Sequence, residues 1–323
     1  MDSKVTRTNA LTFIYFRKSI AEAYINNPDD FVRTFNVQIN GKKRHIITYK
    51  ADAKGAALRY FHTCVGDLIP LCYESMPNSF AYKKGMDILS CLEQHLESDT
   101  FLKTDIHEFF NSIQYEKLTD MVLEDTVCKG NKSLVKLALK ACFYNGHMPI
   151  GFVTSPVLSD IYLHKVDGHF LGRENIIYSR YADDFIISGN NNANDLQGIK
   201  EELINMLSEY GLSLNNKKTY YRIIDKPGDA IHVLGLNLVN SAPGLNRITV
   251  SDNYIRETSK DLCEYLAESK DMTSEEKEYR LAGLTGKIEF IRHCSDSSYK
   301  KLEKMVGIKY GEKIDLSYLA SLE

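Results

Sequence analysis

No stretch of this 323-residue chain approaches the ~18 to 20 uninterrupted apolar residues that cross a bilayer, so nothing in it reads as a membrane span. The nearest thing to a signal-peptide core, residues 10–20, is interrupted by Arg17 and Lys18, and no small-residue cleavage pattern follows; an amphipathic first helix is the better reading. Charge of one sign is missing too. Forty Lys and Arg stand against 43 Asp and Glu, a formal charge of −3, so no global positive field announces a nucleic-acid partner and any such binding rests on local patches. The seven cysteines (Cys64, Cys72, Cys91, Cys128, Cys142, Cys263 and Cys294) are odd in number, scattered and never spaced C-x-x-C. Reduced thiols in a cytoplasmic protein are expected, with neither a zinc site nor a disulfide framework. Internal repeats and low-complexity tracts are absent, and there are only seven prolines. What is present, 43% hydrophobic and 26% charged residues, suffices for one large domain or two to three modest lobes and excludes a disordered tail or a collagen.

Periodicity predicts helices over 10–35 with a break at Asn26-Asn27-Pro28, then over 52–75, 85–98, 114–143, 156–171 and 193–210, the last ending at Gly211. Residues 35–49 alternate around Asn40-Gly41, a two-residue hairpin signal, with the basic cluster Lys42-Lys43-Arg44-His45 directly after the turn. A buried strand is expected over 101–106, a β-rich hairpin over 176–181 and 185–188, and further strands over 219–224 and 231–239. Beyond Pro243-Gly244 the chain turns to polar, charged helical patterns, which places a domain boundary near 243.

Three acids carry the chemistry: Asp105 at the end of an apolar strand, and Asp183 with Asp184 in the tight hairpin turn. Taken alone, Asp183-Asp184 is an ordinary polar turn, since Asp favours turns. The apolar strands on both sides change that reading, because carboxylates crowded in low dielectric repel one another unless a cation compensates. Magnesium fits such a set, bridging one or two carboxylates and substrate phosphates, and a two-metal pair is the usual clamp for in-line phosphoryl displacement. The acids meet if their strands are neighbours in one sheet.

Tyr181-Ala182-Asp183-Asp184 resembles the YxDD signature of reverse transcriptases, and further blocks follow in that family's order between residues 101 and 236. Residues 101–113, which carry Asp105, Phe109 and Phe110, resemble the first catalytic-aspartate block. Met148-Pro149-Ile150-Gly151 with Thr154-Ser155-Pro156 resembles the loop and helix that pack on template and nucleotide. Residues 211–219 with Lys217 and Lys218 resemble the lysine block, and Val233-Leu234-Gly235-Leu236 the primer grip. Within the family the fit is to compact bacterial enzymes of the retron, abortive-infection and defence-associated groups. Of the retron Asn-Ala-x-x-His block only His95 is kept.

The resemblance implies an α+β right-hand polymerase: fingers and palm over 1–243, the fingers mainly 1–100 with part of 114–160 and the palm with an antiparallel sheet, then a helical thumb over 244–323. It implies an RNA-directed DNA polymerase using two Mg²⁺ ions, with Mn²⁺ as an alternative. Asp105, Ile106, Asp183 and Asp184 would lie at the metals, and Lys218 would protonate the leaving pyrophosphate. Arg44 and Lys43 would hold the triphosphate, Phe110 would exclude a ribose 2′-hydroxyl, and Ile150 and Gly151 would line the nucleotide site. Leu234 and Gly235 would form the primer grip, with Ser155, Pro156, Lys300 and Lys301 on nucleic acid. Implied partners are a structured noncoding RNA as template or primer, an RNA–DNA duplex, dNTPs, an effector protein in antiphage defence, and a homo- or hetero-oligomer, with no membrane. Two other readings stay open: untemplated or protein-primed synthesis as in abortive-infection relatives, and a catalytically silent nucleic-acid-binding scaffold.

Overall fold

The structure, a computed structural model, describes residues 6–310 except 40, 191, 192, 243 and 270. Its strands are β1 (Val32–Ile39), β2 (Lys42–Tyr49), β3 (Thr100–Asp105), β4 (Ile177–Tyr181), β5 (Asp184–Gly189), β6 (Tyr220–Ile223), β7 (Ala230–Val233), β8 (Leu236–Ala242) and β9 (Leu245–Val250). They form an antiparallel hairpin β1-β2, a four-stranded sheet ordered β4-β5-β3-β6 and a three-stranded sheet β7-β8-β9, with helices around them. The expected α+β architecture is what forms. The described residues divide into two compact units, 6–87, 102–187 and 193–221 in one, and 88–101, 188–190 and 222–310 in the other.

The first unit is organised around the helix Ala53–Cys72, capped by Asp52, whose carboxylate accepts from the Gly55 amide; its inner face buries Leu58, Phe61, Val65 and Leu68. His62 on this helix is fully buried. Its Nε2 lies 2.8 Å from the Ala141 carbonyl and must donate there, so Nδ1 accepts from the Tyr49 hydroxyl, also at 2.8 Å. Tyr49 in turn accepts from the Val153 amide at 3.0 Å, so one neutral imidazole ties β2 to the 149–153 loop. In the second unit, β7-β8-β9 accompanies helices Asp252–Glu268, Ser274–Cys294 and Asp296–Tyr310, which bury Leu262, Leu284, Ile288, Ile291 and Leu302. Thr273 opens the middle helix with a capping box to Glu276. His95 of this unit is also fully buried, with Nδ1 2.6 Å from Ser188 Oγ.

Burial holds both imidazoles neutral, His62 down to about 4 against the Ala141 hydrogen bond, and His95 down to about 3. Between those values and 6.5 the unfolded chain binds protons that the native protein refuses. The stability they contribute is therefore complete above about pH 6.5 and is lost as pH falls toward 4, on the order of 3 kcal/mol per histidine. Denaturation midpoints are expected to fall steeply between pH 6.5 and 4.5. A midpoint flat across that interval contradicts the assignment.

Several elements differ from the sequence expectation. Helix does not continue to 35: after Asn26 the Pro28–Asp30 3₁₀ turn intervenes and Val32 pairs with Tyr49. The 114–143 segment is three helices, Tyr115–Val122, Thr126–Gly130 and Lys132–Lys140, because Asp125 caps a new start. The 85–98 segment keeps only Ile88–Glu93 as α-helix, and 156–171 breaks into Ser155–Tyr162 and His164–Phe170. The single strand expected over 231–239 is the hairpin β7-β8, turned by Leu234 (φ 52) and Gly235 (φ 85) with Val233 opposite Leu236. Positive φ at both turn residues is the type I′ signature that follows the strands' twist. Chain beyond 244 begins with β9, not helix. Asn40 of the first hairpin and Pro243 of the expected boundary lie outside the described residues.

Candidate active site

Strand β3 carries Asp105 to the edge of an apolar run, buried at nearly every position. Its neighbours bring the other acids and the lysine block to the same place. The Ile106 amide donates to the Asp183 carbonyl at 3.0 Å, and on the other side the Asn215 amide donates to the Asp105 carbonyl at 2.8 Å. Thr104 and Thr219 hydroxyls meet at 2.6 Å. The condition set by the sequence, that the acids sit on adjoining strands, is met. Asp105 is 2% exposed; its Oδ2 pairs with the Lys218 ammonium, whose side chain is 42% exposed. Asp105 Oδ1 is buried and makes no hydrogen bond. An orphaned carboxylate oxygen of this kind carries a desolvation penalty that a hydrogen bond or a cation would relieve. With the half-buried Asp183 and Asp184 beside it, the donor set is all oxygen and anionic, which fits a hard divalent cation.

The turn that presents Asp183 is held from behind. Ala182 has φ 57, a left-handed conformation costly for a residue with a Cβ. Its carbonyl accepts from Arg180 Nη1 at 2.9 Å, and Arg180 is 1% exposed. Asp167 takes Nε at 2.8 Å and Nη2 at 2.5 Å, while Asp160 takes Nη2 at 2.7 Å. Tyr178, Ser75 and Ser79 supply further hydrogen bonds to the two carboxylates. Burial alone would lower the Arg180 pKa, but the Asp167 and Asp160 charges raise it; burial pushes Asp160 up, but Arg180 and the serines hold it below its ordinary value. These three residues were missed in the sequence reading. The available signal was an arginine in the middle of a β-rich apolar run, where a charge has to be paired.

A second loop closes on β2. The Ile47 amide donates to the Ile150 carbonyl at 3.0 Å, and Gly151 has φ 125. A Cβ at Gly151 would stand 2.5 Å from the Ile47 carbonyl oxygen and 3.3 Å from Ile46 Cγ2. Gly151→Ala is therefore expected to cost about 2 kcal/mol or more, through backbone strain and displacement of β2, measured as a lowered denaturation midpoint. A midpoint equal to the parent's would mean the loop yields without cost. Strand alternation places Arg44 on the Ile46 face, which meets Gly151, and Lys43 on the opposite one. Both are exposed.

Phe109 is core at 3% exposure, whereas Phe110 is half-buried with its ring 5.6 Å from that of Phe109. Pro156 is half-buried in the first turn of its helix. Ser155 is not on the surface: it is 2% exposed and donates its hydroxyl to the Pro149 carbonyl at 2.6 Å, so it shapes the loop. In the second unit Leu234 is half-buried and Gly235 exposed at the β7-β8 turn. Lys300 and Lys301 are exposed, but each is paired, with Asp296 at 2.7 Å and Asp252 at 2.6 Å.

Carboxylates converging at the ends of adjoining antiparallel strands, with a lysine on the next strand's approach, define the palm of a right-hand polymerase. The chain belongs to the reverse transcriptase (RNA-dependent DNA polymerase) family, whose pattern matches residues 61–238. It is 28% identical over 221 residues to the retron Ec48 reverse transcriptase of Escherichia coli, which covers 67% of this chain and 53% of that protein. To the Escherichia coli retron Ec83 reverse transcriptase it is 27% identical over 249 residues, 72% of this chain and 73% of that one. The chain thus spans about half the length of the Ec48 relative. The resemblance to bacterial retron-type enzymes read from the sequence is shown by these relatives. Among solved structures, apo telomerase from Candida tropicalis superposes with TM-score 0.54 at 13% identity, covering 90% of this chain and 58% of that one. Telomerase from Candida albicans, in complex with a fragment of telomeric RNA, gives 0.52 at 13%, covering 92% and 65%. Both likenesses are of fold. Among the described residues, no helix is long and apolar enough to cross a membrane.

Proposed function

We propose that the protein is an RNA-directed DNA polymerase that extends a primer by two-metal nucleotidyl transfer. The observation that supports it most directly is the buried, unpartnered Asp105 Oδ1 on a strand hydrogen-bonded to the Asp183 turn. Asp105, Asp183 and Asp184 would hold two divalent ions, Mg²⁺ or Mn²⁺, with Ile106 beside them. Such ions supply Lewis-acid activation of the primer hydroxyl and charge neutralisation at the triphosphate. The chain's own groups do the rest. Lys218, paired with Asp105, would turn its ammonium to the leaving pyrophosphate as general acid. Arg44 contributes a planar fork for phosphate from the β2 face that meets Gly151, with Lys43 adding charge from the other face. Ile150 and Gly151 bound the nucleotide site, Leu234 and Gly235 steady the primer, Pro156, Lys300 and Lys301 support the duplex, and Ser155, buried against the Pro149 carbonyl, acts only by shaping the loop. Residues from 244 onward serve as the thumb and 1–243 as fingers and palm. On this reading, and as the family resemblance implies, the template is a dedicated noncoding RNA and the protein acts in the cytoplasm, in antiphage defence with an effector partner.

The test is incorporation of dNTPs by the purified chain on an RNA template with annealed DNA primer and Mg²⁺, run beside a template-free reaction. Template-dependent extension is expected. Synthesis that ignores the template supports the untemplated mode, and none with any template or metal supports the silent scaffold. Phe110→Ala is expected to relax discrimination against ribonucleotides more than it lowers dNTP use, since the half-buried ring supplies bulk and no metal ligand. An unchanged preference in competing rNTP and dNTP assays would place the sugar gate elsewhere.

A further inference from the structure

We propose that Cys72, Asp125 and Cys128 form a zinc-binding site in the first unit, distinct from the carboxylates of the active site. One ligand atom from each lies within 4.8 Å of the others, and the two sulfurs are 3.2 Å apart. Cys128 is fully buried, the Asp125 side chain is 8% exposed and Cys72 is half-buried. The carboxylate is already oriented: Oδ1 accepts from the Val127 and Cys128 amides at 3.0 Å each, which leaves Oδ2 as the oxygen free of the cap. That is the outer hydrogen bonding a metal carboxylate requires.

Zinc takes sulfur at ~2.3 Å and oxygen at ~2.0 Å, and two sulfurs on one tetrahedral ion stand about 3.7 Å apart, so the thiols need part by only about half an ångström. Charge also closes. Two thiolates and one carboxylate meet a divalent ion and the Arg7 guanidinium, whose Nε is 3.6 Å from Asp125 Oδ2. Binding releases both thiol protons to water, so affinity falls as pH falls. A cavity of about 490 Å³ lined by Cys72, Tyr73, Glu74, Ser75 and His164 opens onto one of the three ligands. The soft sulfur donors prefer zinc to magnesium, whereas the active-site oxygens prefer the reverse. The site would tie the end of the Ala53–Cys72 helix to the Thr126–Gly130 helix. Sequence spacing hides it, because 56 residues separate the two cysteines.

The full chain, loaded with Zn²⁺ and dialysed, is assayed for metal by mass spectrometry, and Co²⁺ serves as a spectroscopic probe. One ion per chain and a sulfur-to-cobalt charge-transfer band are expected, undiminished by millimolar Mg²⁺. Cys72→Ser, at a half-buried position that tolerates the change, should lose the band and weaken zinc retention at least tenfold. Asp125→Asn, which keeps the helix cap, should weaken it less, and Cys64→Ser, outside the cluster, should leave it intact. A wild-type chain that retains no zinc overturns the proposal, as does an unchanged band in Cys72→Ser. Isolation of Cys72 and Cys128 as a disulfide, seen as two missing titratable thiols, overturns it as well.

Discussion

Asp105→Asn and Asp183→Asn are each expected to lower nucleotide incorporation by about three orders of magnitude or more, a loss of roughly 4 kcal/mol of transition-state stabilisation, while the protein stays folded. Each substitution removes one negative charge and one anionic oxygen from a set whose use depends on holding divalent cations. The fold has little to lose. Lys218, the partner of Asp105, is 42% exposed and can turn to water, and asparagine is as acceptable as aspartate in the 182–183 turn. In protein free of divalent ions, fewer carboxylates in one place means less mutual repulsion, so the melting temperature should stay level or rise. Added Mg²⁺ should stabilise the parent and not the variants, by simple linkage. Parent-like incorporation by either variant would end the assignment of these acids to metal binding.

The parts of this site legible in the sequence are those in which chemistry and local structure share one short segment. Asp183 and Asp184 sit in a turn between two β-rich runs, and Asp105 ends a third, so residue type and periodicity speak together. What failed was the non-local. Leu245–Val250 is a strand because it pairs with β8, but Leu-Asn-Arg-Ile-Thr-Val alternates weakly and leads into charged helices that dominate any window. Leu234 gave no turn signal, since leucine is a poor candidate for φ 52; pairing of Val233 with Leu236 imposes it. Asp125 looks like one polar residue among many in an amphipathic stretch, yet its cap splits the helix and helps assemble the thiol cluster. Serine and proline after a loop resemble a surface motif, and only the fold turns Ser155 inward.

Arg180 directly precedes the Tyr181–Asp184 signature and has no role in its chemistry, yet its removal is expected to have the largest effect on stability. Arg180→Met leaves Asp167, 1% exposed, and Asp160, 12% exposed, without the cation between them. Breaking a buried pair in this way costs about 3 to 5 kcal/mol, because the remaining charges stay desolvated. Lys83, within electrostatic reach of both acids, compensates only in part, being itself half-buried and donating to the Met76 carbonyl. The pH dependence separates electrostatics from packing. In the parent, Asp160 is held below its unfolded value, so its contribution is complete above about pH 4 and lost only in stronger acid. In Arg180→Met burial pushes the orphaned Asp160 carboxyl above that value, so the native state gains a proton as pH falls and the deficit against the parent should shrink between pH 8 and 5. A deficit constant across that range would mark a packing defect alone. Adding Asp160→Asn and Asp167→Asn should restore much of the stability but little of the incorporation, since nothing then holds the Ala182 carbonyl and the strained turn that presents Asp183. Recovery of both together would show that Arg180 stabilises the fold without positioning the turn.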